Sequence, residues 1–153
     1  MWKRFSAFLL MVLCVCCSAC TQSLQLPPET DFSADVEIVS AELNTDGTYA
    51  LRVKTAVKNN SEQDCLIYGN PTCWNDVYIN ERGETKDLPL GSYVLKCGEE
   101  LVEEKTVTLS PEEMKNGNLH TETKFYIEYG KGKKQNYIVK SDYILLSEVK
   151  SND

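Results

Sequence analysis

Tyr49-Ala50-Leu51-Arg52-Val53-Lys54-Thr55-Ala56-Val57-Lys58 is the stretch on which the fold turns. Side chains along an extended strand point alternately to opposite faces. A period of two therefore separates Tyr49, Leu51, Val53, Thr55 and Val57 from Arg52, Lys54 and Lys58. Wound as a helix, the same residues would scatter around the circumference and leave no apolar stripe. The stretch reads as a half-buried antiparallel strand, apolar inward and basic outward.

The pattern extends in both directions from there. Val36 and Ile38 belong to an earlier strand, joined through Asn44-Thr45-Asp46-Gly47, a turn ending in Asp-Gly. Asn59-Asn60-Ser61 closes the central stretch. Leu66-Ile67-Tyr68 makes a short strand stopped by Gly69-Asn70-Pro71, and Trp74 to Ile79 makes another, turned by Glu81-Arg82-Gly83. Residues 84–100 show little period beyond Tyr93-Val94-Leu95. Alternation resumes from Val102 to Leu109.

Ser110-Pro111-Glu112-Glu113 has the signature of a single helical turn. Serine is the N-cap, proline takes the first helical position, Glu113 completes a capping box and Asn116-Gly117 ends it. In the final hairpin, Phe125, Ile127 and Tyr129 alternate with Lys124, Tyr126 and Glu128. Gly130-Lys131-Gly132-Lys133 turns the chain, and Tyr137 to Leu146 returns it. A change of phase near Ser141-Asp142 suggests a bulge.

The chain has 153 residues, 42% of them hydrophobic, which suits one packed domain rather than a disordered chain. Its formal net charge is −7. Lys3 and Arg4 stand in the first few residues, and without them 14 basic residues face 23 acidic ones, a charge of −9. Such a surface repels phosphate backbones, so no nucleic acid partner is expected.

Met-Trp-Lys-Arg opens the chain as a short positive segment, and a mainly apolar run from Phe5 to Cys17 follows. At about 13 residues this run is too short to span a bilayer comfortably, which is the layout of an export signal. Cys17-Ser18-Ala19-Cys20 resembles the lipobox of bacterial lipoproteins, with Cys17 where that pattern usually has leucine. The resemblance implies that residues 1–19 are removed and that Cys20 carries lipid as the mature N-terminus. It also implies a location in the cell envelope, held by a lipid anchor. Thr21 resembles the residue found in outer-membrane-sorted members of Gram-negative bacteria. Residues 20–33, polar and proline-containing, read as a tether whose residues from Thr21 to Ser33 extend to at most about 45 Å. The domain is expected at 34–149, with 150–153 as a tail.

About seven or eight short strands with almost no helix predict an all-β fold. The cadence resembles that of an immunoglobulin-like antiparallel β-sandwich, shared by bacterial modules that include a family of proteinase inhibitors. That resemblance implies the fold and carries no functional residue with it.

Three cysteines lie in the domain: Cys65, Cys73 and Cys97. An exported protein meets an oxidising compartment, so a disulfide is expected, Cys65 with Cys73 or Cys73 with Cys97. The spacing lacks the tight cysteine pair of a structural zinc site, and no metal or cofactor is expected. His120, the sole histidine, reads as a solvent-facing strand residue with no nucleophile motif around it, so no catalytic residue is assigned. Glu99, Glu100, Glu103 and Glu104 read as a solvated acidic edge. Tyr68, Trp74, Tyr78 and Tyr126 are the candidate binding residues, because exposed aromatics anchor interfaces whereas inward ones only fill a core.

The functional expectation is a non-enzymatic, membrane-anchored binding or structural module. Its partner would be an unknown envelope or extracellular protein, and an inhibitor or assembly factor is within that class. Two alternatives make different demands. A small-ligand or lipid carrier needs an apolar cavity in a β-barrel. A small envelope hydrolase needs His120 gathered with acids and a nucleophile.

Overall fold

The structure, a computed structural model, describes residues 25–70, 73–83 and 90–150. Cys20 and the lipobox lie outside the described residues. Two antiparallel sheets pack face to face. The first holds β1 (Phe32–Leu43), β2 (Tyr49–Asn59) and β7 (Glu100–Leu109), with β2 central. The second is built on β8 (Asn118–Tyr129). One flank of β8 pairs with β9 (Lys133–Lys140) and β10 (Ile144–Leu145). Its other flank pairs with β4 (Asn75–Ile79) and β3 (Cys65–Gly69), which lie end to end as one interrupted strand. Outside these run β5 (Arg82–Gly83) beside β4 and β6 (Gly91–Leu95) beside β3.

Three positions in one sheet and four in the other follow the strand order of an immunoglobulin-like sandwich. The reading of the central stretch holds residue by residue. Leu51, Val53, Thr55 and Val57 are buried in β2 while Arg52 and Lys54 face solvent. Tyr93-Val94-Leu95, faint in sequence, is the body of β6.

The predicted helical turn is α1 (Pro111–Asn116), with both reciprocal bonds of the capping box between Ser110 and Glu113. The change of phase near Ser141 is real as well. Lys140 pairs with Glu122 and Ile144 with Leu119, so three residues oppose two and the register slips by one. The Ser141 hydroxyl fills the gap by accepting from the Thr121 N–H at 3.0 Å.

Two apolar clusters fill the space between the sheets. One gathers Phe32, Val57, Ile67, Trp74, Leu95, Phe125 and Tyr137; the other gathers Val36, Leu51, Val53, Leu109, Leu119 and Leu146. Buried polar residues, among them Thr55, Asn75 and Thr123, sit between the sheets as well. There the break between β3 and β4 leaves backbone N–H groups without strand partners. The Glu103 carboxylate takes them across the sandwich, accepting from Trp74 N–H at 2.8 Å and Asn75 N–H at 3.1 Å. Glu103 is therefore not part of a solvated acidic edge. It points inward from an edge strand, and its oxygens satisfy donors that burial would otherwise strand. The remaining acids of that group are engaged more modestly: Glu100 pairs with Lys58, Glu104 with Arg52, and Glu99 accepts from Tyr93.

The folded unit begins earlier than residue 34. Phe32 is core, Leu26 packs against it, the Pro27 carbonyl accepts from Tyr137 Oη at 2.9 Å, and the Gln25 carbonyl accepts from Gln63 at 3.0 Å. Apolar Leu26 and Phe32, diluted by prolines and polar neighbours, gave no periodic signal.

Candidate binding face

Alternation along β8 sends Thr121, Thr123, Phe125 and Ile127 inward and His120, Glu122, Lys124, Tyr126 and Glu128 outward. Cross-strand register then fixes who meets whom on the outer face. Tyr68 of β3 stands opposite Tyr126, and Leu66 pairs with Val94 of β6. The two tyrosine rings stack with centroids 5.1 Å apart and planes within 8°. Lys134 from β9 lies 4.2 Å above the Tyr126 ring. Around this stack Leu66, Val94 and Ile138 are each nearly half exposed, and Leu90 more so.

The opposite face of the sandwich is built differently. There Arg52–Glu104 and Lys58–Glu100 span neighbouring strands, a self-neutralised polar surface of the usual solvated kind. The first sheet exposes apolar side chains too, Val39 and Leu43 on β1 and Val102 on β7. Only the outer face of the second sheet sets several of them around an aromatic stack, and contiguous exposed apolar area marks interaction sites.

Higher on the same face the chemistry changes. His120 is fully buried, with its ring 5.1 Å from Tyr78 on one side and 4.6 Å from Tyr143 on the other. The expectation of a solvent-facing histidine is overturned because these two rings close over a strand whose polar sequence looks exposed. Neither ring nitrogen makes a hydrogen bond among the described residues, and Glu122 Oε1 stands 3.5 Å from Nε2. Glu122 is also nearly buried. Burial alone would raise its carboxyl, but hydrogen bonds and charge from Lys140 and Lys124 outweigh it and hold the group at about 2. Lys124 donates to Tyr78 Oη as well, and its own affinity for the proton rises through these partners.

This cluster is a closed network of side chains rather than a cleft. Thr121 and Thr123, the hydroxyls nearest His120 in sequence, point to the other face of the sheet. His120→Phe is expected to leave stability unchanged or raise it by about 1 kcal/mol, since the aromatic stack survives and two unsatisfied nitrogens disappear. Thermal melting checks this; a loss above that size would mean that the ring nitrogens are bonded in solution.

Of the four candidate aromatics, Tyr68 and Tyr126 lie together on the exposed face. Tyr78 is on the same face but is covered by His120 and Lys124. Trp74 is core, tilted against Tyr93 at 6.2 Å, because the strand break turns it between the sheets. Sequence reading passed over Leu66, Val94 and Ile138, whose period-two placement opposite inward residues was the available signal.

The sequence leads to the expectation of a disulfide, but among the described residues Cys65, Cys73 and Cys97 are all free thiols. Cys65 is the first residue of β3 and Cys73 lies past its far end; the five residues of that strand run about 13 Å, whereas a disulfide needs Cα atoms within about 7 Å. Cys65 faces the core near Ser61, and exposed Cys97 lies in the β6–β7 turn, its N–H bonded to Asp64. Among the described residues no three His, Cys, Asp or Glu side chains converge as a metal site. A cleft of about 240 Å³ opens at the surface beside α1, lined by Tyr49, Met114, Leu146 and Val149 among others.

No protein-family model matches this chain, and no curated protein matches it. Among solved structures it is similar to one described as "Crystal structure of protein from Archaeoglobus fulgidus", at 11% identity over 74% of this chain and 94% of that one. The TM-score of that pair is 0.30, too low to bear on function or on the details of the fold.

Proposed function

We propose that this chain is a non-enzymatic binding module of the bacterial cell envelope. It is tethered through lipid on Cys20, and it engages a partner protein with the outer face of its second sheet. The observation that carries the binding role is the asymmetry of the sandwich. One face is spanned by charge pairs with Val102 exposed among them, while the other sets Leu66, Val94 and Ile138 around the stacked Tyr68 and Tyr126. Paired tyrosines suit such a face because they offer large rigid contact area at little cost in conformational entropy. The anchoring role rests on the Cys17-Ser18-Ala19-Cys20 segment and the signal-like run before it.

Two measurements test the two halves. Mass spectrometry of the mature protein from its host should find a chain beginning at acylated Cys20. An intact Met1 without lipid rejects the anchor. For the face, a photo-crosslinking residue at Ile138 should capture one defined envelope protein in cells. Capture should be abolished by Leu66→Asp and by Tyr126→Ala, and kept by Val102→Asp on the opposite face. Capture that survives the first two changes in folded protein rejects this surface.

A further inference from the structure

The three thiols differ in their neighbours, and Cys73 is held against a primary amine. Its Sγ lies 2.8 Å from Lys105 Nζ and 3.3 Å from Asp76 Oδ1. Lys105 Nζ is 3.3 Å from Glu103 Oε2 and also donates to the Asn75 carbonyl. A thiol and an amine, each with its own carboxylate, are thus brought together from different sheets. Cys73 comes from the break between β3 and β4, and Lys105 comes from β7. Neither is sealed: the Lys105 side chain is 23% exposed and Cys73 is partly so, which gives a small oxidant access.

We infer that Cys73 and Lys105 form a site of oxidative cross-linking, at which a hydroperoxide leads to a covalent sulfur–nitrogen bond between the two sheets. Asp76 accepts the thiol proton and the sulfur attacks the peroxide. The O–O bond breaks, one oxygen stays on sulfur as a sulfenic acid, and the other leaves as water or an alcohol. Glu103 takes a proton from the Lys105 ammonium. The freed nitrogen lone pair then attacks sulfur, the S–O bond breaks, and hydroxide leaves as water with a proton from the amine. Sulfur is oxidised by two electrons, the peroxide is reduced by two, and no further reagent is consumed.

Proximity favours this outcome over further oxidation, because an amine fixed in contact competes at very high effective concentration. Burial raises the Cys73 thiol while Lys105 pulls it back, so the first step is expected to be slower than oxidation of exposed Cys97.

The test uses the full chain carrying Cys97→Ser, which removes the one exposed thiol among the described residues, treated with hydrogen peroxide. The expected product has lost two hydrogens and is no longer cut by trypsin after Lys105. Its peptide containing Cys73 is joined to the one containing Lys105, and dithiothreitol restores both. Lys105→Arg, which keeps the positive charge, should abolish the product almost completely, as should prior unfolding in denaturant. A disulfide between Cys65 and Cys73 would show the same mass but survive Lys105→Arg, and would overturn the inference. So would a Cys73 that stops at sulfenic or sulfinic acid with Lys105 still cleaved.

Discussion

Trp74→Ala lowers the stability of the domain by about 3–5 kcal/mol, the range for emptying a buried indole site. Trp74 is 7% exposed within the first apolar cluster, and its ring fills the space that the break between β3 and β4 opens toward Tyr93. The same ring explains Gly69. A Cβ there would lie 2.7 Å from Trp74 Cζ3, closer than real side chains come, and 3.1 Å from the Lys124 carbonyl oxygen, a tight contact. Gly69→Ala alone should therefore cost about 1–3 kcal/mol as overpacking. In a Trp74→Ala background most of that penalty should vanish, because the carbonyl contact is the milder one. Urea unfolding of the two single variants and the double variant measures the coupling. Additive losses would mean that ring and glycine do not meet.

Glu122→Gln is the second large effect, about 3 kcal/mol at neutral pH. A nearly buried carboxylate that holds two lysines is replaced by an amide that cannot neutralise them. The sign of the pH dependence follows from the same site. The folded carboxyl sits at about 2, against 4.5 unperturbed, so the unfolded chain binds the proton more readily. This contribution is fully present above pH 4.5 and is lost as pH falls toward 2. The shift corresponds to roughly 2–3 kcal/mol, discounted because Lys124 and Lys140 are themselves partly exposed. Stability curves of wild type and Glu122→Gln should converge over that interval. Parallel curves would mean that the carboxylate is not held by its lysines.

How much of this was legible in the chain depends on where the partner of each residue lies. The faces of β2, the Asp-Gly turn before it and the capping box at Ser110 are local. Neighbours one to four residues away decide them, and the structure follows the reading closely. Trp74, Glu103 and His120 were misplaced for one shared reason. Each is positioned by a segment distant in sequence: Trp74 by the strand break, Glu103 by the stranded N–H groups of that break, and His120 by Tyr78 and Tyr143. A run such as His120-Thr121-Glu122-Thr123 carries no hydrophobic period, so nothing in it reveals that both of its faces are covered. The binding face was half legible. Tyr68 and Tyr126 stood out as aromatics, but only the register of β3 on β8 makes them neighbours.

The bond from Tyr137 to Pro27 and the packing of Leu26 have a consequence for encounter. If Cys20 carries the proposed lipid, only Thr21 to Leu24 separate it from residues already fastened to the sandwich. Those four residues reach about 14 Å. The module would ride low on its leaflet with little room to tumble, and it would search for a partner by lateral diffusion in two dimensions. A partner rooted in the same leaflet would then meet the tyrosine face from the side, at a height set by that short leash.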